Sequence, residues 1–308
     1  MHPKRIVLHM LIDAESLDAV LDETKLIMDL SFPGKPVHHF ECCFADTVRL
    51  FLGRYDGYQS CKTEYHDIRH TLEVLLATVR MIHATILDGR TISLKGAELA
   101  LMAALMHDIG YIPEESDHGG GGQYTLVHVE RSAAFFEHYG LKMGLAREDV
   151  DACCCMITAT SLSIDPQSIC FRDPETELLA KLVASADLLG QLADRLYLEK
   201  LLFLYKEFRE AGVLAYPHEF DLLNQTRSFY ATVRQRLDET LGSLDQPLAL
   251  HFRERWQMDR NLYSEAISLN LQYLDIIIEK HKDDYRDKLK RGGIVDRIIR
   301  SEGSTEAT

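Results

Sequence analysis

The chain has 308 residues, 46% hydrophobic and 27% charged, with a formal net charge of −14 at pH 7. That length can bury a sizeable core in one large domain or two small ones. The acidic balance excludes a nonspecific basic surface for long nucleic acids. It leaves open a small anionic substrate at a site where a divalent cation supplies positive charge.

The first sixteen residues, MHPKRIVLHMLIDAES, lack a long apolar core and a small-residue cleavage site, so no signal peptide is expected. Residues 14–29 have helical periodicity, which the segment SFPGKP ends. Residues 41–52 read as a second helix closed by Gly53, and residues 65–85 as a third that carries both His66 and His70. Ser93 is placed to cap a helix over residues 95–107, and Gly110 then breaks the pattern. Residues 112–124 form a loop with Pro113 and the run Gly119, Gly120, Gly121 and Gly122. So many glycines cost conformational entropy to order, so the loop is expected to be mobile, either as a solvated connector or as a lid over the neighbouring site.

Residues 126–139, ended by Gly140, and residues 147–160 are two further helices. Residues 175–209 form one long helical stretch with Asp187 near its middle. After Gly212, residues 219–241 and 248–281 are helical, and the tail from Gly292 turns polar, with residues 301–308 expected to fray. Alternating strands, internal repeats, sustained heptads and apolar stretches of about 20 residues are all missing, so the expected fold is all-α with no membrane span. No composition break divides the chain, so residues 1–308 read as a single domain, with a core at about 62–212 and helical additions on both sides.

The seven cysteines are Cys42, Cys43, Cys61, Cys153, Cys154, Cys155 and Cys170. None forms a CxxC pair, and five lie in adjacent runs, which suits neither a zinc ribbon nor a disulfide framework. Reduced thiols and a cytoplasmic location are expected, with Cys153 to Cys155 packing as part of a helix.

The chemistry concentrates in three segments: YHDIRH (Tyr65 to His70), ALMHDIGY around His107 and Asp108, and ASADLLG around Asp187. A lone buried His is usually a hydrogen-bonded core residue. A lone Asp inside an apolar helix is rarer, because burying an unpaired carboxylate is costly. Taken together, His70, His107, Asp108 and Asp187 suit one or two divalent cations such as Mn, Fe, Mg, Co or Zn. Thr160 and His118 are weaker pocket candidates, and Arg69 and Arg131 are candidates to neutralise a phosphate. Asp67 reads as an exposed helix carboxylate.

These motifs resemble the HD superfamily of metal-dependent phosphohydrolases. Their layout is similar to class I cyclic-nucleotide phosphodiesterases over residues 64–208. The YHDIRH segment resembles the YHNxxH motif of those enzymes, with Asp67 in place of Asn. Ala159 to Ser163 resembles their ATDMS segment, and Ala186-Asp187-Leu188 their ADLS segment. The resemblance implies an all-helical HD-type bundle in which His70, His107, Asp108 and Asp187 bind a first metal and Asp108 bridges to a second. It makes His66 the general acid that protonates the leaving oxygen. An imidazole, with an unperturbed pKa of about 6.5, can donate a proton near neutral pH.

This chain departs from those enzymes where they carry a second His three positions after the HD Asp. Here that residue is Tyr111. His128 stands near their next acidic residue and is a candidate for a second metal, or else a surface helix His. Their purine-clamping Gln is not recognisable in the C-terminal region, and the Lys and later His pair of the HD-GYP group are missing. The activity implied is hydrolysis of a phosphate ester of a small phosphorylated or nucleotide-like substrate, open to homo-oligomer formation. The alternatives are a one-metal nucleotidase or phosphatase, and a metal- or ligand-binding signalling module with little turnover.

Overall fold

The computed structural model describes residues 6–305, with side chains through residue 300. Its helices are α1 (Leu17–Ser31), α2 (His38–Phe51), α3 (Ile68–Leu87), α4 (Leu94–Met106), α5 (His128–Lys142), α6 (Arg147–Thr158), α7 (Pro174–Ala193), α8 (Tyr197–Glu210), α9 (Glu219–Gln235), α10 (Leu248–Trp256), α11 (Leu262–Lys280), α12 (Tyr285–Lys288) and α13 (Ile294–Thr305). The fold is all-α. Among the described residues the extended pairing is limited to two isolated bridges, Leu52 with Ser60 and Tyr58 with Glu114.

Side-chain caps start several helices. Ser16, Asp67, Ser93, Asp173 and Asn261 each accept a hydrogen bond from a backbone N–H of the first turn, and Pro174 follows Asp173 at the first helical position. α3 runs through the centre and packs on α7, α4, α1 and α10. By length and composition α3 could cross a membrane, which the sequence was not expected to contain. However, 83% of that stretch is buried inside the fold, as in a core helix. α4 is buried from Gly96 to Met106 except at Glu98, so it has no polar face. Gly190 lets α7 approach α3 closely: a Cβ there would lie 3.2 Å from the Val74 nitrogen. Asp187 stands one turn before Gly190 on α7, so the same close crossing sets it opposite His70.

Several expected boundaries shift for local reasons. The stretch 175–209 is broken between α7 and α8. There the Asp194 carboxylate accepts from the Leu196 N–H (2.9 Å) and from Arg69 (3.1 Å), so a helix ends without Gly or Pro. The stretch 248–281 is broken after α10, where Gln257 adopts a left-handed conformation (φ 57°). Gly140 lies inside α5, which runs on to Lys142 before Gly144 turns the chain at φ +83°. A π-helical turn, Arg236–Thr240, extends α9. The expected frayed tail is helical through Thr305, and residues 306–308 lie outside the described residues. All seven cysteines are free, with Cys153 buried and donating to the Leu99 carbonyl from within α6.

Gly110 closes the turn after α4 against α5. Its N–H donates to Ser132 Oγ (2.9 Å), and its carbonyl accepts from Arg131 Nε (2.9 Å). A Cβ at this position would overlap the His128 carbonyl and stand 2.9 Å from Arg131 Cβ. Gly110→Ala is therefore expected to force α5 off the turn and destabilise the chain by about 3 kcal/mol or more, read by urea unfolding. A loss below about 1 kcal/mol would show that the turn yields easily.

His83 on α3 and His251 on α10 face each other in the core, Nδ1 to Nδ1 at 3.1 Å. Burial, with Arg80, His83 and Arg255 nearby, pushes His251 down to about 2. Burial also lowers His83, against the opposing pull of Glu254. His251 therefore stays neutral in the folded chain, while an unfolded chain protonates it near pH 6.5. Stability is then lost as the pH falls below about 6.5, by up to about 1.4 kcal/mol per pH unit for His251, with His83 acting in the same direction. Unfolding free energies at pH 7.5 and 5.5 are expected to differ more in the wild type than in His251→Leu. An equal difference in the two proteins would remove the pair from the pH response.

Candidate functional site

Three helices deliver the polar cluster. Asp67 caps α3 by accepting from the His70 N–H (2.9 Å) and pairs with the buried Lys200 (3.2 Å). It is thus an anchoring residue and not the free helix carboxylate expected. His66 lies just before the helix, not on it as the spacing suggested. His107 is the C-cap of α4, Asp108 follows it in the turn, and Asp187 comes from α7.

The donor atoms converge. His70, His107 and Asp187 each present one within 4.8 Å of the others. His70 Nε2 is 3.2 Å from Asp187 Oδ1, 3.3 Å from Asp108 Oδ2 and 3.4 Å from His107 Nε2. His107 Nε2 is 3.2 Å from Asp108 Oδ2 and 3.6 Å from Asp187 Oδ1. Donors bound at about 2.0–2.3 Å around one cation stand roughly 3–3.7 Å apart, the spacing found here. Two further features fit a cation. Asp108 Oδ2 is buried with no hydrogen-bond partner. His107 Nδ1 sits 2.8 Å from the Ala104 carbonyl, which places the proton on Nδ1 and frees Nε2 to coordinate. Burial alone would push His70 and His107 down, but the carboxylates of Asp108 and Asp187 outweigh it and hold both raised. Burial likewise opposes ionisation of Asp108 and Asp187, yet the two imidazoles hold both carboxyls well below their usual range.

His66 is gripped by a residue that sequence reasoning missed. Glu207 of α8 is buried, places Oε2 2.6 Å from His66 Nδ1, and accepts from the backbone N–H of Glu64 (3.0 Å) and Tyr65 (2.7 Å) through Oε1. The only sequence signal was its position among Leu201, Leu204 and Phe208 on the apolar side of an amphipathic helix. Tyr111 is buried, and its ring packs on both His66 (4.2 Å, 11°) and His128 (4.4 Å, 23°), which are themselves 6.0 Å apart. His128 Nδ1 sits 2.8 Å from the Thr125 carbonyl, and Nε2 is 3.6 Å from Asp108 Oδ1. Burial lowers the His128 pKa, only partly offset by Asp108, which favours the neutral, coordinating form.

A cavity of about 420 Å³ opens over His66, His70, Asp108, His128 and Asp187. Its far wall is apolar and aromatic, with Leu201, Leu204, Phe208, Tyr216 and Phe229, and carries the amide of Gln225, while Gln191, one turn after Asp187, accepts from Tyr65 Oη (2.9 Å). Thr160 and Ser161 to Ser163 form one rim, held by Arg236, which donates to the Ala159, Ser161, Leu162 and Ile164 carbonyls. No Lys or Arg lines this cavity among the described residues. Arg69 is paired with Glu15 and Asp194. Arg131 spends its guanidinium on the Gly110 and Ile112 carbonyls and the Tyr124 ring. His118 is exposed and outside the cavity.

The glycine run is not a cover over the site. Gly121 and Gly122 are buried in a 3₁₀ turn, Gly121–Tyr124, behind Tyr111. A Cβ at Gly121 would lie 2.6 Å from the Tyr111 carbonyl oxygen, and one at Gly122 would lie 3.0 Å from Glu207 Cα. These glycines allow close packing on α8, so the neighbouring element orders the loop.

Residues 116–272, half of the chain, match the family described as Npun_R2479-like, and the chain belongs to that family. The matched segment holds His128, Asp187, Glu207 and most of the cavity wall, and begins after His66, His70, His107 and Asp108. No curated protein and no solved structure matches the chain.

Proposed function

We propose that this chain is a metal-dependent phosphohydrolase of the HD type, acting on the phosphodiester of a small nucleotide-like substrate. The observation that carries the proposal is the convergence of His70, His107 and Asp187, with Asp108 Oδ2 within 3.3 Å of both imidazoles and the Glu207-held His66 beside them. A divalent cation held by those four residues would polarise a phosphoryl oxygen and lower the pKa of bound water. The cavity wall contributes no guanidinium or ammonium, which agrees with a substrate charge met at the donor cluster.

His66 is assigned the proton for the leaving oxygen. With Nδ1 engaged by Glu207, the transferable proton is the one at Nε2, and the Tyr111 ring fixes the plane of the imidazole. His128, with Nε2 toward Asp108, is assigned to a second cation or to its water. The aromatic wall with Gln225 suits a base and sugar, which offer a flat face and hydrogen-bonding edges. A one-metal nucleotidase is the second reading, favoured by the Tyr111 ring that packs against both His66 and His128.

Metal analysis of the purified protein, run with a panel of cyclic mononucleotides, cyclic dinucleotides, linear phosphodiesters and nucleoside monophosphates, tests the proposal. Hydrolysis of at least one phosphodiester, lost with chelator and restored by a divalent cation, is expected. Turnover of monophosphates alone would select the nucleotidase. No turnover of any member with any of these cations would refute a hydrolytic role.

A further inference from the structure

A second cavity, of about 260 Å³, lies along α3 between the segment that precedes α1 and the α7–α8 junction. Arg69, Glu73 and Arg80 of α3 line it, with Arg195, His9, Asp13 and Glu15 opposite. Arg80 is 2% exposed. Its Nη1 donates to Tyr263 Oη (3.0 Å), its Nε has no partner, and no carboxylate pairs with it among the described residues. A buried guanidinium without an anion is costly, and chains that keep one normally supply the counter-charge. Arg69 Nε is likewise buried and unpartnered, although the rest of that guanidinium meets Glu15 and Asp194.

From this geometry we infer that the cavity is a binding site for a small oxyanion, a phosphate or carboxylate group of a metabolite, anchored by Arg80 and flanked by Arg69 and Arg195. Of the three carboxylates that line the cavity, Asp13 and Glu15 are exposed, Glu15 is already paired with Arg69, and Glu73 is a poor counter-ion. Burial, reinforced by Asp194, pushes Glu73 up to about 7. His9 reports the same field, since burial followed by Arg195, Arg291 and Arg69 lowers its pKa. A planar guanidinium matches phosphate or carboxylate through paired N–H donors. The inference does not depend on the chemistry proposed for the donor cluster.

Thermal melting of the full chain, treated with chelator, tests it with inorganic phosphate in one arm and citrate in another. A saturable rise in Tm in either arm is expected, and the arm that responds identifies the source of the oxyanion. The rise should persist in His107→Ala and weaken at least about tenfold in apparent affinity in Arg80→Gln, the loss of a charged hydrogen-bond donor pair. Arg195 is exposed, so Arg195→Ala should fold normally and weaken the response severalfold even if Arg80→Gln proves unstable. No rise with either anion would overturn the inference. So would a rise abolished by His107→Ala and retained in the arginine variants.

Discussion

Asp108→Ala is expected to abolish both cation binding and hydrolysis, while His66→Ala keeps the cation and loses turnover. Asp108 presents Oδ2 to both imidazoles of the cluster, at 3.3 and 3.2 Å, and that oxygen has no other partner. Removing it takes away a donor and leaves His70 and His107 facing one carboxylate. His66 stands outside this set. Its Nδ1 is engaged by Glu207, and its ring centroid is 5.9 Å from that of His70. General acid catalysis is typically worth about 10²–10⁴-fold, and the loss in His66→Ala should fall in that range with metal content unchanged. Metal content and kcat measured on the same two preparations decide the matter. Equal metal loss in both variants would make His66 a ligand.

Glu207 should separate support from chemistry. In Glu207→Ala the N–H groups of Glu64 and Tyr65 and the imidazole of His66 all lose their acceptor. Two of these three groups sit on buried or half-buried residues, so a stability loss of about 2–4 kcal/mol is expected, with turnover falling as His66 is freed. Glu207→Gln keeps an amide oxygen for the two backbone N–H groups. Its NH₂ would then face His66 Nδ1 and favour the tautomer with the proton on Nε2 and a bare Nδ1, a state no carboxylate stabilises once charged. Most of the stability should return, while kcat stays down by about 10²-fold or more. Wild-type turnover in Glu207→Gln would mean that Glu207 only ties the segment before α3 to α8.

The donor cluster was legible in the sequence because each of its members interrupts or flanks an apolar helix. His70 stands in the first turn of α3, just before its apolar run, His107 and Asp108 follow the apolar α4, and Asp187 stands between Ala186 and Leu188. Such polar interruptions are rare unless they are paired or coordinated. The all-α class was legible from the same periodicity. Glu207 was not, since it lies 141 residues from His66 and looks like any helix carboxylate. The break between α7 and α8 was hidden for a similar reason. Asp194 ends the helix through bonds to Leu196 and Arg69, a tertiary arrangement with no Gly or Pro to announce it. The glycine run misled in the opposite direction. Its composition suggested mobility, whereas close approach to Tyr111 and α8 requires the missing side chains. Asp67 could have been read as a cap, since an Asp at the start of an apolar run commonly accepts from the first-turn N–H groups.

The most direct measurement is a crystal structure of the protein loaded with manganese or zinc, with anomalous scattering collected at the metal edge. A single strong peak is expected between His70 Nε2, His107 Nε2, Asp108 and Asp187, with bonds of about 2.0–2.3 Å. A weaker peak near His128 would place the second cation. Full metal loading with no peak among His70, His107, Asp108 and Asp187, or with a peak elsewhere in the chain, would contradict the assignment of this cluster as a metal centre.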